Sequence, residues 1–318
     1  MKNISTIHEF DSDVSHIKVM HINSEIPATK YKLCEVYGSP TILFGNTESI
    51  DFSKYAFVKH IEDIYINCSI VYRLFDFTCF TNLQTFYLHR DYKKNMSNLR
   101  LPDTLKNLYI YENEPFTIVT SKMHLKNSTN FSHMTFPIGL QKLYFCDSYT
   151  CPLVGIVFPE ELKQIYFGGI RSLVGVTLPK NITKIQVAYE VLRTINDIIL
   201  PESLTCLAFD FHHSMDFTAK IPSNFTCIET NFMSDSRIIF PETLQKLIIT
   251  TCINSLDDLP SNITELEVHS VSFPVTNLPF SLKRIIVMYM HTDDIIKTFT
   301  KLPYGCTVEN AGGNIILK

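Results

Sequence analysis

The sequence predicts a β-dominated solenoid of short stacked parallel strands, with return loops that are mostly extended or hold a short helix. Three observations predict it. A ten-residue phrase recurs nine times, with its prolines at Pro102, Pro137, Pro159, Pro179, Pro201, Pro222, Pro241, Pro260 and Pro279. After a first interval of 35 residues the spacings are 22, 20, 22, 21, 19, 19 and 19. A period near twenty marks units too small to bury an apolar face alone, which must stack on their neighbours. Within each phrase, apolar residues stand one before the proline and three, six and eight after it, as in Leu101, Leu105, Leu108 and Ile110. The step of two between the last pair is the strand period, so residues 107–111 are expected to form a strand with Leu108 and Ile110 inward.

Proline fixes its own φ and cannot donate to a ladder, so it belongs in the approach to each strand. About a dozen residues remain for the return. At 19 residues the return is extended or a single turn, and the 22-residue copies have room for a short helix or 3₁₀ turn. The template also slides upstream without its proline. Ile61, Ile64 and Ile66 make one copy, and Leu83, Phe86 and Leu88 another. Met20 with Ile22, and Ile42 with Phe44, keep the step of 22, but their other inward positions fail. Residues 1–54 are therefore assigned to an N-terminal cap or degenerate repeats, 55–290 to the array and 291–318 to a C-terminal cap of one continuous solenoid.

The cap is expected to hold a helix started at Thr292-Asp293-Asp294, with Ile295, Ile296 and Phe299 on its apolar face and an end near Leu302-Pro303. A last strand, Ile315 to Leu317, then covers the open edge. The interval from Pro102 to Pro137 exceeds one period by about 13 residues and reads as a loop insertion or a decayed unit.

Written as L-x-x-L-x-L behind a proline, the unit resembles a leucine-rich repeat. The form LPxSLxxLxF is most similar to the FNIP-type repeats of amoebal and giant-virus proteins, over roughly residues 55–290. The resemblance implies an α/β leucine-rich-repeat solenoid dominated by β structure, and a protein-binding role without catalysis. The FN-x-PI segment of that family is absent, with a faint echo at Ser272-Phe273-Pro274-Val275. The usual asparagine eight positions after the first leucine occurs only at Asn113. Residues 1–50 contain no convincing F-box, so an adaptor role in ubiquitination is not carried over.

Hydrophobic residues make up 45% and charged residues 19% of 318, enough for a continuous core. The net charge of −4, with no basic block longer than Lys93-Lys94, argues against a nucleic-acid partner. No apolar run reaches the length of a signal-peptide core near the first residues or of a membrane span anywhere, so a cytoplasmic location is expected. The alternative is a secreted or cell-surface glycosylated recognition protein, for which sequons stand at Asn3, Asn67, Asn95, Asn127, Asn130, Asn181, Asn224 and Asn262. Nine cysteines without a Cys-x-x-Cys pair point to a reducing compartment and no disulfides.

The outward residues of the strands stand five, seven and nine after the proline. Position seven reads Tyr65, Tyr87, Tyr109, Tyr144 and Tyr166, then Gln186, Ala208, Glu229, Ile248, Glu267 and Ile286. Five consecutive tyrosines, with Lys142 and Lys184 at position five, form the candidate contact surface for a protein partner, because tyrosine offers amphipathic area at low entropic cost. A stacked aromatic column that only stabilises the sheet is the alternative. Cys206 and Cys227 are expected to be neighbours on adjacent strands, short of the four ligands of a zinc site. His212-His213 reads as solvated loop, and Asp257-Asp258 as a turn. No phosphate loop, nucleophile elbow or His-Glu-x-x-His segment occurs, so no catalytic residue and no cofactor is assigned.

Overall fold

In the computed structural model the described residues are 16–23, 31–36, 39–45, 51–66, 75–88, 99–110, 136–145, 147, 153–210, 216–231, 237–251, 256 and 259–318. The long interval's interior (111–135), the histidine pair, Asp257-Asp258, Asn113 and the sequons at Asn3, Asn67, Asn95, Asn127 and Asn130 lie outside them. Two compact units are formed, one of Met1–Ile170 with Gly175–Ile182, the other of Arg171–Val174 with Thr183–Lys318.

The first unit contains β1 (Val19–Asn23), β2 (Tyr31–Val36), β3 (Ser39–Gly45), β4 (Asp63–Ile66), β5 (Phe75–Asp76), β6 (Thr85–Leu88), β7 (Leu99–Arg100), β8 (Asn107–Ile110), β9 (Lys142–Phe145) and β10 (Gln164–Tyr166). Its main sheet runs β2-β3-β1-β4-β6-β8-β9-β10. The second unit contains β11 (Lys184–Val187), β12 (Cys206–Phe209), β13 (Ala219–Lys220), β14 (Cys227–Thr230), β15 (Ile238–Ile239), β16 (Lys246–Ile249), β17 (Glu265–Val268), β18 (Arg284–Val287), α1 (Thr292–Thr298), β19 (Thr307–Asn310) and β20 (Ile315–Leu317). Its main sheet runs β11-β12-β14-β16-β17-β18-β19-β20. The short strands β5 with β7, and β13 with β15, make separate parallel ladders in the return paths. Both units are thus β-dominated solenoid segments.

Each phrase folds the same way because each proline closes a turn. In all nine copies the proline carbonyl accepts from the N–H three residues on, at 3.0–3.4 Å, as in Leu105 to Pro102 and Ile263 to Pro260. Phe80 takes the proline's place in the copy at Leu83. The turn leads into a strand of three or four residues whose sides alternate between half-buried and buried. Positions three and six are at most 1% exposed in every copy from Leu105 to Ile285, so the interior of each unit is lined by two rows of buried apolar side chains. The two copies without proline follow the same register, with Ile64 beside Phe86 and Phe86 beside Leu108.

The repeats lack the asparagine column of ordinary leucine-rich repeats, and position two supplies another. Asn262 Nδ2 donates to the carbonyls of Glu242 and Leu244 at 2.7 and 2.8 Å. Ser281 Oγ donates to Ser261 and Ile263, and Thr243 Oγ1 to Ser223. Asn82 and Asn181 do the same to Lys59 and Glu160. Each short polar side chain thus satisfies turn carbonyls of the preceding repeat, which would otherwise be unpaired as the turns stack. The copy at Pro137 has Gly139 in this position, where a Cβ would lie 2.3 Å from the carbonyl oxygen of Asp103.

Position eight is apolar and buried except at Thr230, which is 4% exposed. Among the described buried side-chain atoms, Thr230 Oγ1 has no hydrogen-bond partner. Exchanging this hydroxyl for a methyl removes an uncompensated desolvation cost, so Thr230→Val is expected to raise stability by about 1–2 kcal/mol in urea denaturation.

The 3₁₀ turns Tyr189–Arg193 and Ile195–Asp197 fill the 22-residue return between Pro179 and Pro201, as its length allowed. Three expectations at the ends need correction. Ile17, three residues before Met20, is buried, so the first copy is more complete than the sequence suggested. Its strand β1 lies directly against β4, with Met20 beside Ile64, and β3 pairs on the far side of β1. The antiparallel β2–β3 pair carries β3 there, so chain order and stacking order differ.

At the other end, α1 starts one residue earlier than a Thr292 cap requires. His291 is the cap residue, without a side-chain bond, and the helix stops at Thr298. Seven residues make two turns, which bury Ile295 while Ile296 stays 46% exposed. The sequence Leu302-Pro303 then begins a tenth proline-led copy. Cys306 donates its N–H to Pro303 at 3.0 Å, and β19 pairs in parallel with β18. One residue is missing between the turn and the inward Val308, which hid the copy from the template. The strand β20 closes this edge antiparallel to β19, as expected.

Candidate functional site

The strands place positions five and seven on one face of each sheet, opposite the core. In the first unit, Tyr65, Tyr87, Tyr109 and Tyr144 are direct register partners, and Tyr144 pairs with Tyr166. Their rings form one unbroken stack. Centroids are 4.1, 4.4, 4.1 and 4.1 Å apart and the planes lie within 18° of parallel. His21 of β1 extends the column, stacking on Tyr65 at 4.6 Å. Every centroid spacing is shorter than the roughly 4.7–4.9 Å between neighbouring strand backbones. The tips therefore converge, which is the geometry of a locally concave face.

Stacking consumes the flat faces of the rings. What the column offers outward is ring edges and hydroxyls. Burial and a hydrogen bond with Tyr65 push the Tyr87 hydroxyl well above its usual range, and burial with a bond to Tyr144 pushes Tyr109 up to about 12. These hydroxyls are neutral at any physiological pH and can both donate and accept. Burial likewise lowers the pKa of His21, favouring the neutral ring that stacks best. Beside the tyrosines runs a polar row at position five: Asp63, Thr85, Asn107, Lys142 and Gln164. Asn107 Nδ2 reaches Thr85 Oγ1 at 3.4 Å. Burial raises the Asp63 carboxyl, partly offset by a bond from Thr85.

The same positions in the second unit carry charge. Lys184 pairs with Glu229 across Ala208, whose small side chain leaves the path open. Lys246 holds Glu265 and, at 3.1 Å, Glu267. Arg284 bridges Glu265 at 3.4 Å and Glu309 at 2.7 Å. Mutual pairing raises the Arg284 guanidinium and lowers the Glu309 carboxyl. Among the described residues no group of three or more His, Cys, Asp or Glu is placed to hold a metal. None of their helices is long and apolar enough to cross a membrane.

Residues 129–169, which include the copies at Phe136 and Phe158, match the family model described as FNIP Repeat. This stretch is similar to the FNIP repeat. The match falls on two proline-led copies without an FN-x-PI segment. A solved structure of CroV588, described as a novel circular LRR protein, is similar at 18% identity with a TM-score of 0.41. The alignment covers 88% of this chain, which spans about half (47%) of that protein's length. No curated protein matches.

Within the repeat array, the five predicted tyrosines and Lys142 come together on the face of the first unit. Lys184 belongs to the second unit, with its ammonium on Glu229. Two features were missed in the sequence. His21 stands two 22-residue steps before Tyr65, a spacing that the Met20–Ile22 pair already marked. The ion ladder was visible as alternating Lys, Arg and Glu at positions five and seven.

Proposed function

We propose that this chain is a non-enzymatic scaffold that binds a protein partner through the tyrosine-bearing face of its strands. The fold is of the repeat type that typically serves in protein interaction, where partners are taken up over a broad face lined by many strands. The carrying observation is the unbroken ring stack, which presents a row of hydroxyls and ring edges on a converging surface. Tyrosine held rigid by its neighbours loses little entropy on contact, which suits it to interface anchoring. The row of Asp63, Thr85, Asn107, Lys142 and Gln164 supplies polar groups alongside.

A cytoplasmic location is part of the proposal. The amides of Asn181 and Asn262 are engaged on carbonyls of the preceding repeat, so a glycan on either nitrogen would break bonds that hold consecutive turns. Affinity capture from cytoplasmic extract tests the reading. The wild-type chain is expected to retain a defined partner that the triple variant Tyr87→Ser, Tyr109→Ser, Tyr144→Ser loses. The same partners at the same yield for both would eliminate this face.

A further inference from the structure

On the outward face of the second unit, Cys206 of β12 and Cys227 of β14 are register partners on adjacent parallel strands. Their sulfurs lie 3.1 Å apart, with Cys206 Sγ donating to Cys227 Sγ, and both residues are half-buried. Two cations stand by them. Lys184 and Lys246 lower the energy of a negative sulfur at Cys227, while Glu229 opposes them. The hydrogen bond fixes the roles. It is the largest cause favouring the thiolate at Cys227, and the largest cause that raises the thiol of Cys206.

We propose that Cys206 and Cys227 form a redox modification site, at which a small hydroperoxide converts the pair into a reversible cross-strand disulfide. The Cys227 thiolate attacks the outer peroxide oxygen, the O–O bond breaks, and the leaving alkoxide or hydroxide takes up a proton to become alcohol or water. Cys227 is then a sulfenic acid. Cys206 Sγ attacks Cys227 Sγ, the S–O bond breaks, and hydroxide leaves with the Cys206 proton as water. Two thiols have together lost two electrons and the peroxide has gained them. The geometry suits the product. Strand neighbours about 4.8 Å apart fall inside the Cα separation that disulfides span, and the sulfurs need to close by only about 1 Å. Among the cysteines whose side chains are described, no other has this setting. The thiols of Cys79 and Cys306 are pushed up mainly by burial, away from the reactive form.

The test exposes the native full-length chain briefly to hydrogen peroxide, blocks remaining thiols with an alkylating agent, and maps the digest by mass spectrometry. A Cys206–Cys227 linked peptide is expected, about 2 Da lighter than the two thiol peptides together and restored by dithiothreitol. In Cys206→Ser, Cys227 is expected to be trapped by dimedone as sulfenic acid. In Cys227→Ser, Cys206 is expected to oxidise about tenfold more slowly than Cys227 does in the first variant. Wild-type Cys206 and Cys227 that both remain alkylatable, or that advance separately to sulfinic acids with no linked peptide, would overturn the proposal.

Discussion

Leu247→Ala is expected to lower the stability of the second unit by about 3 kcal/mol, in the range of large-to-small core substitutions. Leu247 is fully buried in β16, between Ile228 of β14 and Leu266 of β17. Truncation would leave a cavity that both neighbours border, and neither strand can move in without losing its own ladder. Because each repeat leans on those beside it, the loss reaches the flanking copies as well. Ile248, the next residue, points to the opposite face and is half-buried. Ile248→Ala is expected to cost about 1 kcal/mol, since no enclosed cavity results. Urea denaturation of the two variants measures the difference, and equal losses would contradict the assignment of faces.

Gly139→Ala is expected to cost the first unit about 2 kcal/mol or more through overpacking against rigid backbone. The added Cβ would meet the Asp103 carbonyl oxygen at 2.3 Å, and the carbon of that carbonyl at 3.5 Å. In four other copies the same position bears Asn181, Thr243, Asn262 or Ser281, whose side chain donates to the equivalent carbonyl. At Gly139 the turn itself approaches instead. The carbonyl belongs to a turn closed by the Leu105-to-Pro102 hydrogen bond, so it cannot yield without opening that turn. The thermal midpoint should fall in Gly139→Ala but change little in Thr243→Ser, which keeps its hydroxyl on Ser223. A Gly139→Ala chain as stable as wild type would mean that the two turns can separate.

Stacking geometry was legible because the repeat obeys one local rule: a proline closes the turn, and period-two alternation decides which side chains enter the core. That rule alone places Tyr65 through Tyr166 in one row. It failed where the chain changes length inside a copy. Val308 stands one residue too near Pro303, and β3 leaves the stacking order because an antiparallel partner holds it on the far side of β1. The cap helix misled for another reason. Thr292 and the two aspartates are good first-turn residues, but two turns give Ile296 no core to face. The tyrosine row, and a stacked column as its alternative role, were readable in the sequence; the ring separations were not, since they depend on how neighbouring strands converge. The ion ladder escaped notice because its partners are 19 to 45 residues apart in sequence.

In the proposed scaffold the hydroxyls of the tyrosine column meet the partner while the stack itself holds the sheet. Calorimetric titration of the captured partner against the triple variant Tyr87→Phe, Tyr109→Phe, Tyr144→Phe separates the two roles, because phenylalanine keeps the rings and removes the oxygens. The predicted result is affinity weakened by about ten- to a hundredfold, the worth of two or three interfacial hydrogen bonds, in a variant that stays folded and whose urea midpoint falls only by the loss of the hydroxyl bonds within the column. Unchanged affinity in the folded variant would contradict the claim.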